Sequence, residues 1–170
     1  PLPTAYGYDE YGAFNLPNLA PEQMPTAQSC PRAADFIRRH KDQPFFINLW
    51  IHETHTPHYP LQQYLDQFES LEEQQQVYAA VVAEGDAGVG LILDTLKELG
   101  LDENTLVIFS SDNGPEWTGS SKKSDDTSTG PGLGTYYSVG ETGGLKGKKR
   151  SLYAGGIRVP FIARWPGVIP

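Results

Sequence analysis

Three groups of residues in this sequence have the types and the spacing to do chemistry. His52, His55 and His58 fall in one short stretch, Asp112 and Asn113 stand side by side, and Lys146, Lys148, Lys149 and Arg150 form a compact basic run inside a glycine-rich segment. A carboxylate beside an amide offers hard oxygen donors of the kind that suit Ca²⁺ or Mg²⁺. Lysine and imidazole suit an anionic ester, the first by holding negative charge and the second by giving a proton to the departing oxygen. Backbone and cations of a glycine-rich loop can close around an anion together. From chemistry alone, these groups point to metal-assisted hydrolysis of a sulfate or phosphate ester.

The elements that must position them can be read from spacing and punctuation. Ser29 and Pro31 open a helix with Ala33, Phe36 and Ile37 at helical spacing, and Arg38, Arg39, His40 and Lys41 favour its C-terminal end. After Pro44, the apolar run Phe45–Ile51 has the length of a buried strand in a parallel sheet. The histidines come directly off its end, where Pro57 and Pro60 exclude helix and sheet interior. A long helix follows with Tyr78, Val82, Val89, Ile92, Leu96 and Leu99 as its apolar face and Gly100 as its C-cap. Its interior Gly85, Gly88 and Gly90 are expected to allow close packing on a sheet. Thr105–Ser110 reads as a second buried strand that delivers Asp112 and Asn113, and Val159–Ala163 as a last short one. The alternation predicts an α/β fold with crossover connections and ligands at the carboxyl ends of strands. Between them, Pro115–Gly144 is a polar connection longer than most inside compact domains.

Composition bounds the possibilities. A chain of 170 residues has room for one domain or part of one, and no apolar run approaches the roughly 20 residues that span a bilayer. A net charge of −8 excludes broad binding to nucleic acid or to an acidic membrane, which need a basic surface. The single cysteine, Cys30, cannot form an intramolecular disulfide or a cysteine zinc site and reads as a buried structural thiol. The chain begins at Pro1, its only methionine is Met24, and no signal region precedes the first motif, so it reads as an internal part of a longer protein.

Three stretches taken together, Thr105–Gly114, Gly143–Pro160 and Arg164–Gly167, resemble the sulfatase family, in particular its arylsulfatase and N-acetylgalactosamine-6-sulfatase members. Pro44-Phe45-Phe46 with its histidine exit and Tyr6-Gly7-Tyr8-Asp9 resemble it as well, so the likeness covers nearly the whole chain. The resemblance implies an alkaline-phosphatase-like α/β sandwich with a mostly parallel central sheet, of which residues 1–170 are the central to late part. It implies calcium-dependent hydrolysis of sulfate esters by a formylglycine nucleophile made from Cys or Ser in a C/S-x-P-x-R motif. Ser29-Cys30-Pro31-Arg32 does not have that spacing, so the nucleophile, like the first metal-binding aspartates, is expected upstream, and the 170 residues alone are expected to be inactive.

Carried over residue by residue, the resemblance makes Asp112 and Asn113 metal ligands. His55 binds the sulfate and protonates the leaving oxygen, with His52 as the rival for that role. Lys149 holds the sulfate, with the adjacent Lys148 as the rival register. Two departures, Tyr153-Ala154-Gly155-Gly156 in place of a tyrosine-glutamate-glycine-glycine and Thr54-His55-Thr56-Pro57 where proline often precedes the histidine, touch no proposed catalytic atom. The substrate implied is a sulfated small molecule or saccharide, with no nucleic acid or membrane as partner and a periplasmic, lysosomal or secreted setting. Two other readings are a phosphatase or phosphodiesterase of the same superfamily and a non-catalytic chain.

Overall fold

The computed structural model describes residues 2–12, 25–124 and 132–170. Its core is made by two helices. The first, α1 (Pro25–His40), opens earlier than Ser29 and carries Pro31 inside it. That proline lies on the exposed side, where the backbone hydrogen bond it removes can be replaced by water. Cys30, Ala33, Ala34 and Ile37, spaced i, i+3, i+4, i+7, are the buried stripe of α1. It packs against a long helix, called α3 below, and Arg38 of α1 donates to the Thr95 hydroxyl of α3 at 3.3 Å.

After α1 comes an extended segment, then the single-turn helix α2 (Gln62–Leu65), then α3 (Glu73–Glu98). The buried face of α3 is Val77, Ala80, Val81, Gly85, Thr95 and Leu96. This corrects the expected face: Leu96 belongs to it, but Val82 is 45% exposed, because the stripe toward α1 runs through Val81. Gly100 ends the helix as expected. It takes φ +68°, and Leu101 N–H closes on the Leu96 carbonyl at 2.8 Å, a left-handed cap that glycine adopts without steric cost.

Among the described residues, the helix glycines do not face β1 or β2, whose ranges are Val107–Ser110 and Phe161–Arg164. A methyl at Gly88 would sit 2.7 Å from the Cys30 sulfur, and one at Gly85 would sit 3.2 Å from Cβ of Glu53, whereas one at Gly90 meets nothing within 4 Å. Gly88 therefore exists for the α1 contact, and it explains Cys30 as a packed core thiol, whose pKa burial and then the Glu53 charge push upward. Two substitutions should move stability in opposite directions. Gly90→Ala should raise it by about 1 kcal/mol through helix propensity, and Gly88→Ala should lower it by about 1–3 kcal/mol through overpacking. Thermal unfolding of the two variants checks this; a stabilised Gly88→Ala would show that α1 can give way.

Among the described residues the sheet is a single antiparallel pair. Strand β1 (Val107–Ser110) pairs antiparallel with β2 (Phe161–Arg164), in the register Val107 with Arg164 through Ser110 with Phe161. β1 lies within its expected span and ends at the same residue, β2 is shifted toward Arg164, and neither is buried: Ile108 is 56% and Phe161 67% exposed. Phe45–Ile51 is extended, with exposure alternating from half-buried Phe45, Ile47 and Leu49 to exposed Phe46, Asn48 and Trp50, but it joins no ladder among the described residues. Between the strands, the segment 118–124 folds back on 132–138, as in Gly119 N–H to Thr135 and Tyr136 N–H to Ser121, both 2.9 Å. Glu73 at the start of α3 holds this fold-back through Lys122 at 2.9 Å and the Tyr137 hydroxyl at 2.8 Å. The described parts of the connection are thus held in place, and the short helix α4 (Ala154–Ile157) leads toward β2.

Candidate active site

The end of β1 and the basic run are clasped together by their backbones. Gly114 N–H donates to the Gly156 carbonyl and Lys149 N–H to the Pro115 carbonyl, each at 2.9 Å. The approach is so close that a methyl at Gly114 would lie 1.9 Å from the Gly155 oxygen. Only residues without Cβ atoms allow it. This clasp sets Asp112 and Asn113, on the exposed turn after β1, beside the loop that carries the three lysines.

Each lysine of that loop has its own partner. Lys146 lies over the Tyr153 ring at 3.9 Å, and Lys148 donates to the Gly140 carbonyl at 2.9 Å. Lys149 reaches Glu116, Nζ to Oε2 at 3.5 Å, with only 19% of its side chain exposed and 16% of that of Glu116. Glu116 takes Arg150 on its other oxygen at 2.7 Å, while Arg150 is 71% exposed. Burial acts to raise the Glu116 pKa, but the Trp117 N–H, Lys149 and Arg150 together outweigh it and hold the carboxyl below its ordinary value. Glu116 is therefore ionised at neutral pH and faces two basic side chains.

The histidine stretch meets Glu116 and Arg150 across a cavity of about 220 Å³, whose lining also includes His55, Thr56 and Thr135. His55 is exposed to it, and its Nδ1 lies 2.5 Å from the Thr56 carbonyl. A carbonyl only accepts, so Nδ1 carries a hydrogen and Nε2 is left for a substrate. His52, its ring 5.6 Å from that of His55, is half-buried and directed at the Pro57 carbonyl at 3.4 Å; burial pushes its pKa down. His58 turns fully inward, 2% exposed, with Nε2 3.2 Å from the Ser138 hydroxyl. The expectation that three histidines stand ready for chemistry is thus corrected: one faces the cavity, and the other two are drawn inward by Pro57 and by the fold-back loop.

One backbone feature stands out in this cavity. Arg150 has φ +68°, the left-handed region, and is the non-glycine residue that does so among the described residues. For a residue with a Cβ, that conformation costs about 1–2 kcal/mol. The ion pair to Glu116, on a side chain 71% exposed, returns about 0–1 kcal/mol. A glycine would make this turn at lower cost.

The profile of the Sulfatase family matches residues 1–170. The chain belongs to the sulfatase family. The rat steryl-sulfatase is 36% identical over 170 residues, covering 96% of this chain and 27% of that protein. An N-acetylgalactosamine-6-O-sulfatase of Bacteroides thetaiotaomicron is 31% identical over 138 residues, covering 81% of this chain and 25% of that protein. Among solved structures, the PsFucS1 sulfatase from Pseudoalteromonas sp. superposes with a TM-score of 0.63 at 27% identity over 96% of this chain and 29% of its own. The fold is therefore that of the sulfatases, which is alkaline-phosphatase-like. This sulfatase chain spans about a quarter of the length of the curated relatives it matches.

The two expected metal ligands fit part of a calcium site. The Asn113 amide nitrogen donates to the Gly114 carbonyl at 2.9 Å, which leaves its oxygen, with the Asp112 carboxylate, as a pair of adjacent hard donors. Calcium takes about 6–8 oxygens, and no group of three or more His, Cys, Asp or Glu gathers as a metal site among the described residues. The sulfatase chain thus brings together Lys149, Arg150 and His55 around Glu116, with Asp112 and Asn113 on the adjoining turn. Glu116 is the residue that sequence reasoning missed. Its proximity in sequence to Asp112 and the excess of cations in the basic run were the available signs that a carboxylate must sit between them.

Proposed function

We propose that this chain supplies the anion-binding and leaving-group side of a sulfatase active site, and that the whole protein hydrolyses sulfate esters. The observation that carries the proposal is a cavity lined by an exposed histidine and by Glu116, whose carboxylate holds the half-buried Lys149, next to a turn of hard oxygen donors, in a chain of this family. In this reading Lys149 holds the sulfate oxygens as charge builds on them, in a place where low exposure strengthens the attraction. His55, its Nδ1 hydrogen committed to Thr56, works through Nε2 and gives a proton to the departing alcohol oxygen. Calcium, held in part by Asp112 and Asn113, would offset the charge of the sulfate and orient it.

Residues 1–170 form part of the catalytic domain in this reading. The mostly parallel central sheet is also a proposal; the alternating exposure of Phe45–Trp50 and the exposed faces of β1 and β2 support it. A sulfated small molecule or a sulfated saccharide is the substrate class, in line with a steryl-sulfatase and an N-acetylgalactosamine-6-O-sulfatase among the relatives.

The full-length protein should hydrolyse 4-nitrophenyl sulfate in the presence of calcium and leave 4-nitrophenyl phosphate nearly untouched; the reverse preference would sink the reading. Asp112→Ala should weaken calcium binding by about tenfold or more and lower turnover with it, because an anionic ligand is lost. Calorimetric titration with calcium is the check, and an unchanged affinity would make Asp112 a turn residue only.

A further inference from the structure

Arg150 is built in a way that the ion pair with Glu116 does not explain. Its backbone is held in the left-handed region, in a loop that places glycines at Gly143, Gly144 and Gly147 in the same region. The conformation is unfavourable for arginine, and its exposed ion pair offsets only part of that. Lys149 and Arg150 share one carboxylate but differ in setting: Lys149 is enclosed, and Arg150 stands in the cavity lining with one guanidinium nitrogen on Glu116 and 71% of its side chain exposed. A guanidinium has five donors in a fixed fork that matches a planar or tetrahedral oxyanion.

Resting on the sulfatase reading above for what Lys149 binds, we propose that Arg150 is a specificity-determining residue that takes a second oxyanion of the substrate, a carboxylate or another sulfate next to the scissile one. Glu116 is its positioning residue, keeping the guanidinium at the cavity rather than in solvent. The preferred substrates are then dianionic, such as a sugar ring bearing both a sulfate ester and a second anionic group, and not a singly sulfated sterol or phenol.

Binding is the direct test, because it does not need turnover. Benzene-1,3-disulfonate and benzenesulfonate are titrated by calorimetry into the full-length protein and into Arg150→Gly, a change that relieves the backbone and so should not lower the melting temperature. The disulfonate should bind the parent protein tenfold or more tightly than the monosulfonate, and Arg150→Gly should bring that ratio to near one while monosulfonate affinity stays within threefold. Arg150→Lys should restore part of the ratio. A parent protein without the preference, or a variant that loses both probes equally, overturns the proposal. A carboxybenzenesulfonate arm separates a carboxylate from a second sulfate as the preferred group. Turnover of the matching mono- and dianionic aryl sulfates keeps the two readings apart: absence of all turnover with an intact binding preference removes the sulfatase reading alone, and turnover without preference removes this inference alone.

Discussion

Replacing Lys149 with alanine should lower kcat/KM of the full-length protein by roughly a hundredfold or more, which corresponds to about 3 kcal/mol of transition-state stabilisation. The size follows from the setting. Only 19% of the Lys149 side chain is exposed, and its charge acts where water does little to weaken it. Glu116 keeps Arg150 on its other oxygen when Lys149 is removed, so the carboxylate is not left unpaired, and the loss should be one of rate more than of folding. The backbone clasp at Pro115 uses the Lys149 N–H and survives the substitution.

Its neighbours should behave differently, each for a reason that can be seen in its contacts. Lys148 is spent on the Gly140 carbonyl, so Lys148→Ala should cost about 1–2 kcal/mol of stability and much less in rate. Lys146 rests on Tyr153, an exposed ring, and Lys146→Ala should cost about 0.5–1 kcal/mol of that local contact. Any rate effect of either is long-range attraction, which salt screens over about 10 Å. Measuring kcat/KM at low and high salt therefore separates the three: the Lys149 defect should persist in salt. A larger, salt-resistant defect at Lys148 would place the sulfate one residue away from where Lys149 holds its charge.

The site was legible in the sequence where a role depends on residue type beside a strand end, and illegible where it depends on what folds over it. Asp112, Asn113 and the basic run stand out because β1 and a glycine-rich loop announce themselves in local spacing, whereas the choice of Lys149 within that run comes from the family resemblance. Glu116 does not stand out, because its meaning comes from two cations that approach it from more than thirty residues away. The histidines show the same limit. Their spacing marks all three equally, but His58 is paired through its backbone with Leu133 in both directions, at 2.9 and 3.2 Å, and so becomes core.

The fold was legible in its helices and less so in its sheet. The buried stripe of α1 and the cap at Gly100 follow from 3.6-residue spacing and from glycine, which are local rules. Strand pairing is not local: β1 and β2 are far apart in sequence, and their antiparallel register is set by a turn of chain that includes the whole basic loop. Apolar runs gave the strands their places but carried no sense of direction. The face of α3 was misread by one residue at Val82 because a helix that is apolar nearly all round offers several stripes, and packing on Ala33, Ala34 and Ile37 chooses between them.

That inward turn of His58 has a consequence for stability at acid pH. Its ring is 2% exposed, edge-on to Tyr78 at 6.1 Å, and Nδ1 has no hydrogen-bond partner among the described residues. Burial, with smaller contributions from His52 and His55, pushes its pKa from 6.5 down to about 4. The folded protein therefore holds His58 neutral in a range where the unfolded chain protonates it. Stability is complete above pH 6.5 and falls as the pH drops toward 4, by about 3 kcal/mol in all, since each pKa unit is worth about 1.4 kcal/mol. His52, also depressed, adds to the loss in the same direction. Carboxylates held low, such as Glu73 and Glu116, act in a lower window, because their contribution is lost only as the pH falls below the ordinary 4.5. Between pH 6.5 and 4.5 the slope of this loss thus belongs to the histidines, opposed by Glu84, whose carboxyl burial pushes upward. His58→Asn, which keeps a polar group near Ser138 but cannot titrate, should lower stability at neutral pH and flatten that slope by about one proton's worth. Chemical denaturation at half-unit pH steps measures both, and an unchanged slope in the variant would mean that His58 is protonated in the folded state and that the buried ring has access to water.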